Sequence, residues 1–223
     1  MNLQEVEKFI KKLVGNREIY VLASDKQLHW IDSSYEQFII IFSSVYRATG
    51  ATPYQHCIGY HVKPEETVFF DSLGRTEAFY NLPTATVRIN NVFQNARSPL
   101  CCVYIIIFVI LRLRNLTPVQ ITTTFARQSQ VNDVAAKNIA FALELPFDPE
   151  VALPGVTRHA QIEGNVLGLY HQVINPQTRA GPGRPPAYGS SRQGRDRTRQ
   201  CRLMERQFTA KVIPRKRGPK PKR

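Results

Sequence analysis

The chain has 223 residues, 43% of them hydrophobic, and its 30 Lys and Arg residues exceed its 17 Asp and Glu residues by a net charge of +13. Its longest apolar run, from Leu100 to Leu111, has 12 residues, whereas a helix that crosses a bilayer needs about 20. The chain has only 4 cysteines and does not open with a charged-then-apolar leader, so we expect translation in the cytosol and reduced thiols rather than a disulfide-stapled secreted domain.

The positive charge is concentrated at one end of the chain. Residues 1–171 hold 15 Lys and Arg against 15 Asp and Glu, whereas residues 172–223 hold 15 Lys and Arg against Asp196 and Glu205. The second segment is also rich in Pro, Gly, Ser and Gln, and such a composition cannot bury enough apolar surface to offset its ordering entropy. We therefore predict a folded domain over 1–146, a linker over 147–171 and a disordered basic tail over 172–223.

The first half of the chain contains one helical pattern followed by several strand patterns. Apolar residues at helical spacing, separated by Glu and Lys, predict an amphipathic helix over residues 3–14. Runs of β-branched and aromatic residues predict strands over 18–23, 37–45, 56–62 and 67–71. Because the residues between the last two strands are turn-prone, these strands are expected to form a hairpin.

The second half of the chain is mainly helical in pattern. Residues 84–89 alternate as in a strand, and the apolar run that follows predicts a buried central helix over Cys101 to Arg114. A second helical pattern covers 131–145, where Pro146 closes it. The order of helix, strands, buried helix and helix predicts an α+β domain.

Cys101 lies at the expected start of the central helix, where a thiol is easily activated. The N–H dipoles of a helix N-terminus and a neighbouring imidazolium both lower a thiol pKa. This placement predicts a Cys101 thiolate that is reactive below neutral pH. The strand over 56–62 offers His56 and His61 as the accompanying base, and a strand's period of two points them to opposite faces, so only one of them can serve.

Asp71, at the end of the next strand, could orient such a histidine across the hairpin. Its structural alternative is to cap the turn over residues 72–74. For His56, Asp71 or Cys101 taken alone, a structural role is more common in proteins than a catalytic one. The order of the residues together favours a catalytic group. No paired cysteine spacing of the zinc-ribbon kind is present, so we expect neither a metal nor a small-molecule cofactor.

With these residues in place, the chain resembles the adenovirus protease (adenain) family and, more distantly, the SUMO-specific proteases, in the chain order His, Asp or Glu, Gln, Cys. Six local features carry the resemblance. They are Tyr20-Val-Leu-Ala-Ser-Asp25, Arg47-Ala-Thr-Gly50, His56-Cys-Ile-Gly-Tyr60, Val68-Phe-Phe-Asp71-Ser-Leu-Gly74, Gln94 seven residues before Cys101, and Cys101-Cys-Val-Tyr104. The pair Asn132-Asp133 is also similar to a pair in viral and transposon-encoded members, so the resemblance covers residues 18–145.

The resemblance implies a papain-like, adenain-type cysteine protease fold, with a central mixed sheet and a buried helix that starts at the nucleophile. It implies catalytic roles for His56, Asp71, Gln94 and Cys101, with the Gln94 side chain and the Cys101 backbone N–H holding the oxyanion. Two positions depart from the family pattern, because Cys57 replaces a Trp and Cys102 replaces a Gly. The second departure leaves Cys101 and Cys102 as alternative nucleophiles, and the spacing to Gln94 favours Cys101.

The resemblance also implies a viral endopeptidase that cleaves capsid or core precursor proteins during particle maturation, in the host nucleus and virion. The resemblance implies DNA as an activating polyanion, and an activating peptide is the alternative or additional partner at this stage. The basic tail fits double-stranded DNA by counterion release, and its last residues predict a nuclear-localisation and nucleic-acid-binding cluster of Arg215, Lys216, Arg217, Lys220, Lys222 and Arg223. No membrane partner is expected.

Two alternative functions remain at this stage. One is a catalytically inactive DNA-binding core or packaging protein, and the other is a deSUMOylating-type protease. If the endopeptidase reading holds, the chain itself contains two segments of the family's hydrophobic-x-Gly-x cleavage pattern, Leu153-Pro-Gly-Val156 and Ile162-Glu-Gly-Asn165. Self-release of the tail is then an expectation of the same hypothesis.

Overall fold

A five-stranded mixed sheet organises the chain in the computed structural model, which describes residues 1–23, 28–45, 54–89, 91–148, 150, 152–166 and 168–174. The strands follow the chain order as β1 (Glu18–Ala23), β2 (Gln37–Val45), β3 (Tyr54–Lys63), β4 (Glu66–Phe70) and β5 (Val87–Ile89). The two outer pairs, β1 with β2 and β4 with β5, are parallel, while β2, β3 and β4 are antiparallel neighbours. The predicted hairpin is therefore confirmed as β3 and β4.

Helices accompany this sheet, so the predicted α+β class is confirmed. They are α1 (Leu3–Val14), α2 (Cys101–Leu113), α3 (Pro118–Thr124), α4 (Ser129–Ala142), α5 (Arg158–Val166) and α6 (Gly168–Ile174), with a 3₁₀ helix at Glu77–Tyr80. The helix α1 starts where the sequence predicts, because Asn2 and Glu5 form a capping box that satisfies two of its free backbone N–H groups.

The helix α2 forms the centre of the hydrophobic core. Every residue from Cys101 to Arg112 is buried, and a helix that is apolar on all sides is stable only inside a protein. It packs against α1, α4 and α6 and against β3. Gly59 of β3 allows the close approach, because a Cβ atom there would lie 2.9 Å from the Ile39 carbonyl oxygen and 3.5 Å from a methyl group of Ile105.

Two predicted elements differ from the observed ones by three residues at one end. The strand predicted over 84–89 is shortened to β5, because the hydroxyl of Thr86 takes the place of a backbone partner by bonding both the N–H and the carbonyl of Thr67. The helix predicted over 131–145 ends at Ala142, where the chain turns through Glu144 in a left-handed conformation with φ of 51°.

The linker prediction for 147–171 is wrong, because this segment supplies helices to the core. In α5 and α6, Ala160, Leu169 and Val173 are buried. Gly164 packs so tightly that a Cβ atom there would lie 2.5 Å from Cβ of Val134. The isolated Gly and Pro residues that suggested a linker are thus used for close packing and turns. The folded part of the chain continues at least to Ile174.

Several sequence predictions fall on residues that lie outside the described ranges. These are the tail from residue 175 onwards with its whole basic cluster, the Asp25 end of the first family-like feature, and the feature Arg47-Ala-Thr-Gly50. Within the described ranges, no helix has both the length and the apolar character needed to span a membrane.

Candidate active site

His56 and Asp71 meet at the end of the hairpin. The pairing of β3 with β4 ends with Gly59 opposite Phe70, so Asp71 is the first residue beyond the paired strand. His56 lies three positions before Gly59 on the neighbouring strand, which brings its Nε2 atom to 2.6 Å from Oδ1 of Asp71. Both side chains are at most 1% exposed. The register of the hairpin thus places the predicted histidine against the predicted carboxylate.

Asp71 also caps the turn that follows it. Oδ1 accepts a further hydrogen bond from the Leu73 N–H at 2.8 Å, and Oδ2 accepts from the Arg75 N–H at 3.2 Å and the Tyr80 hydroxyl at 2.7 Å. Burial raises the pKa of Asp71, but the bonds from His56, Leu73 and Tyr80 outweigh it and hold the pKa below its ordinary value. Asp71 is therefore an anion that both orients the histidine and caps the turn.

His56 lies between this anion and the thiol of Cys101. Burial lowers the pKa of His56, yet hydrogen bonds with Asp71 and Cys101 more than compensate and raise it to about 9. Because Nε2 is directed at Asp71, Nδ1 is the ring nitrogen that remains for the thiol. At neutral pH the ring is an imidazolium with Asp71 on one side and Cys101 on the other.

Cys101 begins α2, as the sequence predicts, but its acidity differs from the expectation. A hydrogen bond with Cys102 and burial raise the pKa of Cys101, and the bond with His56 only partly opposes them. In this arrangement Cys101 is a thiol at neutral pH. The raised pKa opposes the predicted thiolate below neutral pH, and its first cause is the second thiol at the neighbouring helical position.

Cys102 is the middle member of a cluster of three thiols. Its hydrogen bonds join it to Cys101 on one side and to Cys57 on the other, and its Sγ lies 3.9 Å from the Met1 carbonyl oxygen. Cys57 and Cys102 are the two positions that depart from the family pattern, and here they lie side by side. Of the two candidate nucleophiles, Cys101 is the one that contacts His56.

Two hydrogen bonds fix the orientation of the Gln94 side-chain amide. Its Oε1 accepts from the Ser72 hydroxyl at 2.6 Å, and its Nε2 donates to the Ser98 carbonyl at 2.6 Å. A carboxamide nitrogen carries two hydrogens, and the described residues provide a partner for one of them. The other is available to a further acceptor, as an oxyanion donor requires.

Three of the four predicted site residues line one pocket of about 340 Å³. His56, Gln94, Cys101 and Cys102 line it together with Met1, Phe42, Leu73 and Pro99. Asp71 lies behind His56, away from the opening. The Cys101 thiol, the His56 imidazolium and the Gln94 carboxamide therefore line the same pocket.

Sequence reasoning missed two residues that support this arrangement. Ser72, which orients Gln94, is fully buried and stands in what the sequence marks only as a turn. Tyr80, which bonds Asp71, lies on the 3₁₀ helix nine residues further along the chain, where no periodic pattern identifies it. Burial and the neighbouring Asp71 raise the pKa of Tyr80, so it remains a hydroxyl donor.

Among the described residues, no group of three or more His, Cys, Asp or Glu side chains is arranged to hold a metal ion. No protein-family model matches the sequence. A comparison with curated proteins likewise gives no match.

Proposed function

We propose that the chain is a papain-like cysteine endopeptidase of the adenain type, with Cys101 as nucleophile. One observation carries the proposal: His56 contacts Asp71 through Nε2 and the Cys101 thiol from its other side, in a pocket that Gln94 also lines. A nucleophile, a base and a group that orients the base form the constellation of covalent catalysis. The similarity of the ordered residues to the adenain family supports the same assignment.

In the proposed reaction, Cys101 transfers its proton to the neutral form of His56, and its sulfur attacks the scissile carbonyl carbon. The carbonyl oxygen becomes an oxyanion held by Gln94 Nε2 and the Cys101 backbone N–H. His56 then protonates the leaving amine as the peptide C–N bond breaks. Water, deprotonated by His56, attacks the resulting thioester, releases the carboxylic acid and restores the thiol. Asp71 keeps the imidazole in one orientation throughout.

The protonation states indicate where on the pH scale this chemistry becomes available. At neutral pH His56 is protonated and Cys101 is a thiol. The reactive form of this pair has lost one of these two protons. It becomes more abundant as the pH rises towards the His56 pKa of about 9. Any change that breaks the contact between Cys101 and Cys102 favours the thiolate at lower pH.

The substrates proposed are viral capsid or core precursor proteins, cleaved during particle maturation in the host nucleus and virion. The net charge of +13 carried by residues 172–223 supports double-stranded DNA as the partner that retains and activates the enzyme. Of the two possible self-cleavage segments, Ile162-Glu-Gly-Asn165 lies inside α5, with Gly164 packed on Val134. A helical, tightly packed segment cannot enter an active site in extended form, so only Leu153-Pro-Gly-Val156 remains available.

The test is the rate of alkylation by iodoacetamide, measured from pH 6 to 10 on the wild type, Cys101→Ala, Cys102→Ala and His56→Ala. Peptide mapping then identifies which cysteine carries the label. We expect label on Cys101 in the wild type, none at that position in Cys101→Ala, and slow labelling in His56→Ala. Label confined to Cys57 or Cys102, at a rate that does not depend on His56, would exclude this catalytic centre.

A second candidate is a catalytically inactive DNA-binding core or packaging protein. The observation that favours it is the burial of Cys101 and its bond with Cys102, both of which raise its pKa, because an inert thiol needs no activation. Under this alternative, the alkylation rate of Cys101 is no higher than that of an ordinary thiol and is the same with and without His56. The iodoacetamide series therefore separates the two functions.

A further inference from the structure

The segment over residues 93–98, which contains Gln94 and leads to Cys101, has no strand or helix of its own. One side of it is held by the turn after β4, since the N–H groups of Phe93 and Gln94 donate to the Ser72 carbonyl at 2.9 and 3.0 Å. Its other side faces the start of α4. A donor that must meet an oxyanion to within a few tenths of an ångström needs support on both sides.

Asn132 of α4 supplies one part of that second support. Its Nδ2 donates to the Phe93 carbonyl at 3.1 Å and to the Ala126 carbonyl at 3.0 Å, while its Oδ1 accepts from the Ala126 N–H at 2.8 Å. The side chain is fully buried. All of its bonds go to backbone groups, so it joins the residue before Gln94 to the loop before α4.

Asp133 supplies the other part. Its Oδ2 accepts from the Asn95 N–H at 3.3 Å, and its Oδ1 accepts from the Tyr104 hydroxyl at 2.8 Å. Tyr104 lies on α2 one turn after Cys101, and its hydroxyl is also 3.2 Å from the Phe93 carbonyl. Asp133 is thus connected to the residue after Gln94 and, through Tyr104, to the helix that begins with Cys101.

From these contacts we infer that Asn132 and Asp133, acting with Tyr104, are positioning residues that fix Gln94 relative to Cys101 for oxyanion binding. The inference rests on the proposed function. The two side chains hold the backbone on both sides of Gln94, at the Phe93 carbonyl and the Asn95 N–H, and neither of them lines the pocket. Their effect on catalysis therefore passes through Gln94.

Two chemical probes separate this role from a general structural one. Alkylation by iodoacetamide displaces iodide and forms no oxyanion, so it reports only the Cys101 and His56 pair. Acyl transfer from 4-nitrophenyl acetate passes through a tetrahedral oxyanion and so also needs Gln94. We expect Asp133→Asn and Tyr104→Phe to reduce acyl transfer about 10- to 100-fold, mainly in kcat, and to leave the alkylation rate within about twofold.

The double variant Gln94→Ala with Tyr104→Phe provides the sharper measurement. Removing one oxyanion donor costs about 100- to 1,000-fold in kcat, so Gln94→Ala alone should show a loss of that order. If Tyr104 acts through Gln94, adding Tyr104→Phe to Gln94→Ala lowers kcat by less than about twofold more. The control is Phe141→Ala, at an exposed position of the same helix α4, which should leave both rates unchanged.

Each outcome decides one of the two claims. The positioning role is overturned if the kcat of the double variant falls by the product of the two single losses. It is also overturned if Asp133→Asn and Tyr104→Phe show normal acyl transfer. In both cases the protease centre itself stands. Wild-type protein that shows neither His56-dependent alkylation nor acyl transfer would remove the proposed function and this inference with it. Since Tyr104→Phe deletes only a hydroxyl, it provides the test even if Asp133→Asn does not fold.

Discussion

The hydroxyl of Tyr80 donates to Oδ2 of Asp71 at 2.7 Å, on the carboxylate oxygen that His56 does not use. Oδ1 of Asp71 thus contacts the imidazole, and Oδ2 is held by Tyr80 on the 3₁₀ helix. Rotation of the carboxylate would break both contacts. Tyr80 therefore supports the His56 orientation without entering the pocket.

Tyr80→Phe is predicted to destabilise the protein and to slow the reaction of Cys101. The variant loses a hydrogen bond to a buried anion, which costs about 1.5 to 3 kcal/mol of unfolding free energy. Urea unfolding at pH 7 measures this loss, and iodoacetamide kinetics measure the effect on Cys101. Phe141→Leu is the control, since Phe141 is 74% exposed and lies on α4. Unfolding of Tyr80→Phe at the wild-type urea concentration would contradict the anchoring role.

Cys102→Ala is predicted to shift the pH profile of Cys101 alkylation towards lower pH. The bond with Cys102 is the first cause of the raised Cys101 pKa, so removing it favours the thiolate. In the wild type we expect the rate to rise with pH up to about 9, where His56 loses its proton. Cys57→Ala removes a buried thiol without removing the Cys101 to Cys102 bond, and it should leave the profile in place. Coincident wild-type and Cys102→Ala profiles would show that the second thiol does not control the first.

A pH-dependent contribution to stability is expected from His61, which the catalytic centre does not use. It is fully buried. Its Nδ1 atom accepts a hydrogen bond from Arg112 Nε at 2.8 Å, and its Nε2 atom lies 3.0 Å from Oε1 of Glu36. Burial and the charge of Arg112 lower its pKa to about 4, although Glu36 opposes them. The folded protein therefore binds this proton less readily than the unfolded chain.

The stabilising effect of neutral His61 is present above its unfolded pKa of about 6.5 and is lost as the pH falls towards 4. The unfolding free energy of the wild type should therefore exceed that of His61→Gln by a margin that decreases, by up to about 3 kcal/mol, as the pH falls across this range. Urea unfolding of both proteins at pH 4.5, 5.5, 6.5 and 7.5 measures the difference. A difference that stays constant with pH would show that His61 has an ordinary pKa.

The basic tail is predicted to supply nearly all of the affinity for DNA. Deletion should begin at residue 179, because a cut at 172 would remove Val173, which α6 buries in the core. Residues 179–223 still contain all 15 Lys and Arg of the predicted tail. We expect the full chain to lose about 1,000-fold or more in affinity for a random duplex between 50 and 200 mM salt, as measured by fluorescence anisotropy. A truncated chain that retains this affinity would place the DNA site in the folded domain.

Local patterns were sufficient to predict the parts of the fold that depend on neighbouring residues. The capped helix α1, the hairpin of β3 and β4 and the apolar helix α2 each show their period or their turn directly in the sequence. Asp71 and Cys101 could be predicted as candidates because each stands at the end of such an element, and His56 because it lies on the strand that pairs with the one before Asp71. Their contact then follows from the hairpin register and from where α2 begins.

The remaining features depend on contacts between distant parts of the chain. Ser72 with Gln94, Tyr80 with Asp71, and Asp133 with Asn95 are separated by up to 38 residues, and no spacing rule connects them. The pKa of Cys101 likewise depends on how the Cys102 side chain packs. The helices α5 and α6 are short and rich in glycine and polar residues, so their burial follows from the surface they cover rather than from a strong pattern of their own.

The packing of α6 has a consequence for how the protein is made. Leu169 and Val173 complete the core around α2, and the Val173 carbonyl accepts from the Arg114 side chain at 2.7 Å. Ribosomes synthesise α2 about sixty residues before α6, so an unfinished chain carries an apolar helix whose cover is incomplete. Exposed apolar surface of this kind promotes aggregation. We therefore expect the nascent chain to need a chaperone until α6 has emerged, and stalled products that end before residue 168 to be insoluble.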